Sequence, residues 1–160
     1  MTDNEYDIGY YLDMISVTEK TERIIDQHKA TDSAGIKSSL IELIAIYYSK
    51  PFMTANRAYA RENGSKHRPH KLTAEEIDFT QPEHDVHQIA YNWRNGYVAH
   101  SDQTLRQQSI DLKYDEKGKV TGFASSSGSI APPLCDFHLD LLNSNLKKIR
   151  THLWSKIINT

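Results

Sequence analysis

The chain predicts a mainly α fold, an antiparallel bundle of about four main helices with a β-hairpin inserted before the last one. Three observations predict it. Apolar residues recur at steps of three and four over four separate stretches, the signature of amphipathic helices. One short stretch switches to a period of two around a glycine-bearing turn, the signature of paired strands. The five prolines and the turn-rich clusters fall between these stretches and not within them.

The first helical stripe runs through Tyr10, Met14, Val17, Thr21, Ile24 and His28, with Ile8, Leu12 and Ile15 broadening it. The stretch from Ala30 to Gly35 interrupts it, and Ser33 is placed to cap the next helix. There Ile36, Leu40, Leu43, Ile44 and Tyr47 form one stripe while Ile41, Ala45 and Tyr48 lie on another side, which predicts burial on more than one face. Pro51 kinks or ends this helix. The helix formers in "MTANRAYAR" allow a short continuation, and "ENGSKHRPHK" reads as a basic, turn-rich loop. Thr73 and Glu76 have capping-box spacing over one short helical turn. Thr80, Gln81 and Pro82 form a helix entrance, with Glu83 and Asp85 at the positive end of the dipole. Val86, Ile89, Ala90, Trp93 and Tyr97 continue that helix. Ile110, Leu112 and Tyr114 alternate with Asp111 and Lys113 as a first strand, "DEKG" turns the chain, and "KVTGFAS" returns as a second. "SSSGSIAPP" is a connector whose prolines suit a helix start. The final stripe is Leu139, Leu142, Leu146, Ile149, Leu153 and Ile157.

Length and composition bound the function. The 160 residues suit a single domain, 1–160, around one core. Apolar residues at 38% and charged residues at 25% place the chain among globular proteins. A net charge of −2 gives no global affinity for nucleic acid. One cysteine, Cys135, rules out an intramolecular disulfide and a cysteine-built zinc site. The acidic N-terminus lacks a signal-peptide pattern, and no apolar run approaches the ~20 residues that span a bilayer. The expectation is a cytoplasmic protein with no membrane contact.

Charge is uneven, however. Residues 57–71 carry Arg57, Arg61, Lys66, Arg68 and Lys71 against Glu62 alone, and the last twenty residues carry Lys147, Lys148, Arg150 and Lys156 with no acid. Both segments could meet phosphates, and both also fit ordinary solvated faces. His67 and His70, with His84 and His87, make two His-x-x-His pairs that could supply imidazoles to a metal. The cationic loop around the first pair opposes this, and surface histidines are the alternative.

The stretch that carries the functional argument is "RNGYVAHSD", Arg94 to Asp102. It holds a guanidinium, an amide and an imidazole within seven residues. On a straight helix Arg94 and His100 would sit roughly 120° apart, too far round to grip one phosphate together. Gly96 can loosen that turn. Alternatively, two copies can pack about a two-fold axis so that the arginine of one meets the histidine of the other, with Tyr91 and Val98 at the contact. A histidine on an apolar face also fits plain core packing.

This stretch resembles the motif of HEPN domains, the prokaryotic and eukaryotic nucleotide-binding helical family. The motif is arginine, a polar residue, then histidine after four to six intervening residues. Arg94, Asn95 and His100 match it, and "RN…VAHSD" is similar to the version in abortive-infection-type members. The order of elements is similar too. The resemblance implies a homodimer with facing motif helices, and metal-independent endoribonuclease activity without a cofactor, often as a toxin or anti-phage effector. Some members are inactive, and some pair with an antitoxin or a nucleotidyltransferase.

The chemistry is coherent. RNA carries its own nucleophile, the 2′-hydroxyl. His100 can move protons near neutral pH, Arg94 can hold phosphate oxygens with a permanently charged fork, and Asn95 can position the phosphate or the hydroxyl. Lys66, Arg68 and Lys71 could draw in the strand, and Tyr91 could stack on a base. Two other readings use the same residues differently: a non-catalytic RNA- or nucleotide-binding dimer, and a helical adaptor in which His100 is structural.

Overall fold

The computed structural model describes residues 3–53, 70–99, 106–114, 120–129 and 134–159, with side chains given for 3–53, 70–96 and 134–159. It is mainly helical. Helix α1 spans Asp3–Ala30, α2 Ala34–Ser49, α3 Gln81–Trp93 and α4 Asp136–Ile158. Between Arg106–Tyr114 (β1) and Val120–Ser129 (β2) there is an antiparallel ladder, with Arg106 opposite Ser129 and an irregularity at Lys113/Tyr114.

Helix α1 opens with Asp3 and Glu5 and closes with His28 and Lys29; the acids and the lysine each oppose the nearer end of the helix dipole. Its buried line is Tyr6, Tyr10, Tyr11, Ile15, Thr18, Thr21, Ile24, Ile25 and His28. The two threonines enter the core because each hydroxyl donates back to its own helix, Thr18 to the Ile15 carbonyl at 2.7 Å and Thr21 to the Val17 carbonyl at 2.8 Å. Leu12 is exposed, contrary to the broadened stripe. At about 100° per residue Leu12 falls beyond Ile15, at the edge of the buried arc, whereas Tyr11 and Ile25 fall within it.

Ser33 occupies the position before α2, but its side chain makes no capping bond; its carbonyl accepts from Lys37 N instead. Helix α2 stops at Ser49, and Pro51 lies within the 3₁₀ turn Lys50–Phe52 that follows. The expected burial on several faces is narrower than the periodicity suggests. Ile44, Ala45, Tyr48 and Ser49 are buried, whereas Ile36 and Leu43 are exposed. The segment expected as a helical continuation, beyond residue 53, lies outside the described residues. Where the chain resumes, Leu72 N donates to the Pro51 carbonyl at 3.0 Å and pins the returning strand of backbone to the end of α2.

The T-x-x-E sequences at Thr73 and Thr80 close as capping boxes. Glu76 accepts from Thr73 N at 2.9 Å, and Glu83 accepts from Thr80 N at 2.7 Å with Pro82 in the first turn of α3. Helix α4 begins after Cys135, whose backbone N–H donates to His138 Nδ1 at 3.1 Å. Its expected stripe is the heart of the core: Leu139, Leu142, Leu146, Ile149 and Leu153 have no exposed surface.

Helix α1 packs on α2 and on α4, and α3 packs on α4 and α2. Ion pairs fix the direction of α4 against α1 at two levels. Lys29 meets Asp140 at one end, and Arg150 grips Glu22 through two bonds of 2.7 and 2.9 Å further along. As residue numbers fall on one helix they rise on the other, so the pair is antiparallel. No helix among the described residues is long and apolar enough to cross a membrane.

The key polar joint is Glu83. Its carboxylate, 6% exposed, accepts from Thr80 N and Oγ1, from Ser144 Oγ at 2.6 Å and from Lys148 Nζ at 2.7 Å. Desolvation pushes this carboxyl upward, but the bonds from Lys148, Ser144 and Thr80 outweigh it and hold its pKa at about 2, against 4.5 ordinarily. A carboxyl depressed in the fold contributes stability that is fully present above its unfolded pKa and is lost as pH falls toward the folded one. Glu83→Gln should therefore lower unfolding free energy by about 2 kcal/mol at neutral pH, below the ~3–5 of a fully buried pair because Lys148 is partly solvated. Denaturant titrations should also show that the variant loses the part of the acid sensitivity that lies between 4.5 and about 2. A variant that matches the wild type throughout would remove Glu83 from the role given to it.

Candidate functional site

The described part of the motif stretch, Arg94–Ala99, follows directly on α3. Val86, Ala90 and Trp93 face the core, as expected. After Trp93 the α-helix gives way to a π-helical turn over Arg94–Ala99. Such i→i+5 turns are rare and cluster at functional sites. Gly96 lies within it. Regular α-helical spacing therefore does not hold over Arg94–Ala99. The turn is seated against α2.

Within it, Arg94 Nη1 donates to Asn95 Oδ1 at 3.0 Å, and both side chains are half-buried. Arg94 Nε is buried and has no hydrogen-bond partner among the described residues. The described part of the motif is therefore a guanidinium braced by its neighbouring amide. His100 lies outside the described residues, as do Lys66, Arg68 and His67, and the side chain of Val98.

The second face of α3 holds a network that the periodicity did not anticipate. His87 is 3% exposed, not a surface histidine. Its Nδ1 lies 3.1 Å from the hydroxyl of Tyr48 on α2. The amide of Asn145 on α4 fixes the proton positions. Asn145 Nδ2 donates to the carbonyl of Glu83 at 2.9 Å and to the Tyr48 oxygen at 3.0 Å. A carbonyl can only accept, so this atom is the amide nitrogen. Tyr48 then gives its own hydrogen to His87 Nδ1, and the neutral imidazole carries its proton on Nε2. Desolvation lowers the His87 pKa to about 4, and the positive potential of His84 adds to this. Burial likewise pushes the Tyr48 phenol upward.

Aromatic rings surround that imidazole. Tyr91 lies within 13° of parallel to it at 5.7 Å between ring centres, while Phe52 stands edge-on at 4.5 Å. Tyr91, expected at a subunit contact or on a base, thus has one side committed to its own chain. Beside these rings is a cavity of about 200 Å³, bounded by the turn from Lys71 to Glu75 and by the His87–Asn92 side of α3. Lys71 and Tyr91, named from sequence on separate grounds, both line it. Gln88, Asn92 and Glu75 line it as well. Sequence reasoning passed over them because isolated polar residues at exposed helical positions carry no pattern.

The described members of the other constellations sit in structural pairs. His70 Nε2 lies 3.0 Å from Glu76 Oε1. Rings of His84 and His87 are 6.3 Å apart, and His87 Nδ1 is occupied by Tyr48. Among the described residues no group of three or more histidine, cysteine or acidic side chains is arranged to hold a metal. In the basic C-terminal segment Lys148 is taken by Glu83, Arg150 by Glu22 and Lys156 by Glu76 at 3.5 Å. The acids absent from that stretch of sequence arrive from α1, α3 and the Ala74–Glu76 turn, so the segment is largely neutralised.

No family model, no curated protein and no solved structure matches this chain.

The buried neutral imidazole has a measurable consequence. A histidine whose folded pKa is depressed resists the proton that the unfolded chain takes up, so stability falls as pH drops from 6.5 toward about 4. The full loss should reach about 3 kcal/mol for a shift of this size. In His87→Gln, unfolding free energies measured across that window should lose most of this slope. An unchanged slope would mean that His87 is solvated in the folded chain.

Proposed function

We propose that this chain is a HEPN-like endoribonuclease that works as a homodimer and needs no metal. In this reading it is an antiparallel bundle with a hairpin inserted before the last helix, and the motif turns of two copies face each other. Arg94 holds the scissile phosphate and stabilises the charge that develops on it. Asn95 positions Arg94 and contacts the phosphate or the 2′-hydroxyl. His100 moves the proton between the 2′-hydroxyl and the leaving oxygen. Lys66, Arg68 and Lys71 draw the strand toward the turn, and Tyr91 offers a ring to a base. Such an enzyme serves as a toxin or anti-phage effector, restrained by an antitoxin or a nucleotidyltransferase partner.

The observation that carries this reading is the π-helical turn that opens at Arg94 and braces its guanidinium against Asn95. A distorted turn is less stable than a continued α-helix, and a buried guanidinium nitrogen without a partner among the described residues is costly. Both features are typical of a site organised for a ligand. A purely structural helix end has no need of either. The partial solvation of both side chains leaves them reachable.

The test is digestion of single-stranded RNA in excess chelator by wild type, Arg94→Ala and His100→Ala at equal folded concentration. Wild type should cut, and each variant should lose about a hundredfold or more, the usual contribution of a general acid or base. Cleavage that survives His100→Ala, or that requires a divalent ion, would end the proposal. RNA binding with no cleavage by any of the three proteins would replace it with the binding-module reading.

A further inference from the structure

The cavity beside the motif turn has a composition that suits one kind of ligand. At about 200 Å³ it is smaller than the ~300–1,000 Å³ of pockets that enclose drug-sized molecules, so it takes a single flat ring and leaves the rest of the molecule outside. One side offers such a ring a face: Tyr91 is half-buried, held flat by its offset stack on His87, and Phe52 stands at 77° to it as an end wall. The buried His87 imidazole, its Nδ1 occupied by Tyr48, also lines the cavity. The rim carries the polar groups. Gln88 and Asn92 are one helical turn apart on the same side of α3, and each amide can donate and accept. Glu75 supplies a carboxylate that can only accept, and its pKa is lowered, first by a backbone hydrogen bond and then by Thr73, so it stays ionised. Lys71 supplies the one cation of the described lining. Tyr91 precedes Arg94 by three residues, so the cavity opens next to the proposed phosphate grip.

We infer that this cavity is a base-recognition subsite of the RNA-cleaving surface, taking one unstacked base that bears an exocyclic amino group and discriminating against uracil. The inference rests on the proposed ribonuclease reading for its ligand. The base lies against Tyr91, as unstacked RNA bases lie on aromatic side chains. Its amino group donates to Glu75, and the ring nitrogens beside it pair with the amides of Asn92 and Gln88. Lys71 meets the phosphate that follows the base out of the cavity. Uracil has no amino group and turns a carbonyl toward Glu75, so it leaves the carboxylate facing an acceptor. Like acceptors opposed in this way give discrimination by repulsion as well as by lost bonds.

Fluorescence anisotropy with short 2′-O-methyl oligonucleotides of adenine, cytosine or uracil tests this. These strands lack the 2′-hydroxyl nucleophile, so binding is read whether or not the protein cuts RNA. The adenine and cytosine strands should bind about tenfold more tightly than the uracil strand, the size of one good polar contact. Glu75→Gln and Asn92→Ala, both at exposed positions whose replacement leaves the core intact, should bring the adenine and cytosine affinities down toward that of uracil. Tyr91→Ala should weaken all three by about fivefold or more through lost stacking. Equal binding of the three strands by wild type, or a base preference that persists in Glu75→Gln and Asn92→Ala, would overturn the subsite. Cleavage of unmodified RNA without base preference would remove the subsite and leave the nuclease standing. Base-dependent binding without cleavage would keep the subsite and remove the nuclease.

Discussion

A single carboxylate holds the bundle in register. Glu83 closes the first turn of α3 and simultaneously receives Ser144 and Lys148 from α4. Lys148 in turn donates to the Asp78 carbonyl at 2.6 Å, which ties down the segment leading into α3. Four donors converge on a group that water can scarcely reach. Such a group is strongly directional: slide α3 by one residue and the carboxylate is buried without its partners, which is far more costly than losing an apolar contact. Hydrophobic burial brings the helices together, but it tolerates sliding, because leucines replace one another along the stripe of α4. Glu83 does not tolerate it.

The consequence propagates toward the other end of α3. The carbonyl of Glu83 orients Asn145, Asn145 orients Tyr48, and Tyr48 orients His87. Each member has its hydrogen-bonding role set by the one before it. The chain therefore runs from a surface-facing lysine on α4, through α3 and α2, to the imidazole behind Tyr91. This polar thread has one loose end, since Asn145 Oδ1 is buried with no partner among the described residues. Networks of this kind specify one arrangement of a core more than they stabilise it. Here the specified arrangement is the angle at which α3 presents Tyr91 and, one turn further on, Arg94. A rigid upstream helix joined to a distorted turn is a sound way to aim a guanidinium, because the distortion cannot relax by shifting the helix behind it.

Electrostatics separate the two basic segments that look alike in sequence. In α4 each of Lys148, Arg150 and Lys156 meets an acid from another element, and Glu22 and Glu83 are themselves shielded enough to hold their partners firmly. Those charges stitch helices together. Lys71 behaves differently: it is exposed and lines the cavity together with aromatic rings and the amides of Gln88 and Asn92. The proposed RNA-binding surface draws on this second segment alone.

Much of the architecture was legible from residue spacing. The α4 stripe, the Thr73–Glu76 box, the helix entrance at Thr80–Pro82 and the stop at Pro51 are local features, set by period, by cap chemistry and by the missing N–H of proline. A second box at Thr80–Glu83 had the same spacing and was readable on the same ground. What only the tertiary structure decided is which apolar residues are covered, which charges are paired, and where polar residues find each other. Leu12, Ile36 and Leu43 obey the helical period yet remain exposed, because a stripe states which residues share a face and not how wide the partner helix is. His87 looks like a surface histidine until Tyr48, 39 positions away in the chain, bonds to it and Asn145, 58 positions away, bonds to that tyrosine. The distortion at Arg94 is likewise invisible to a fixed angle per residue. Periodicity encodes interactions within one helix, and these outcomes arise from atoms supplied by three.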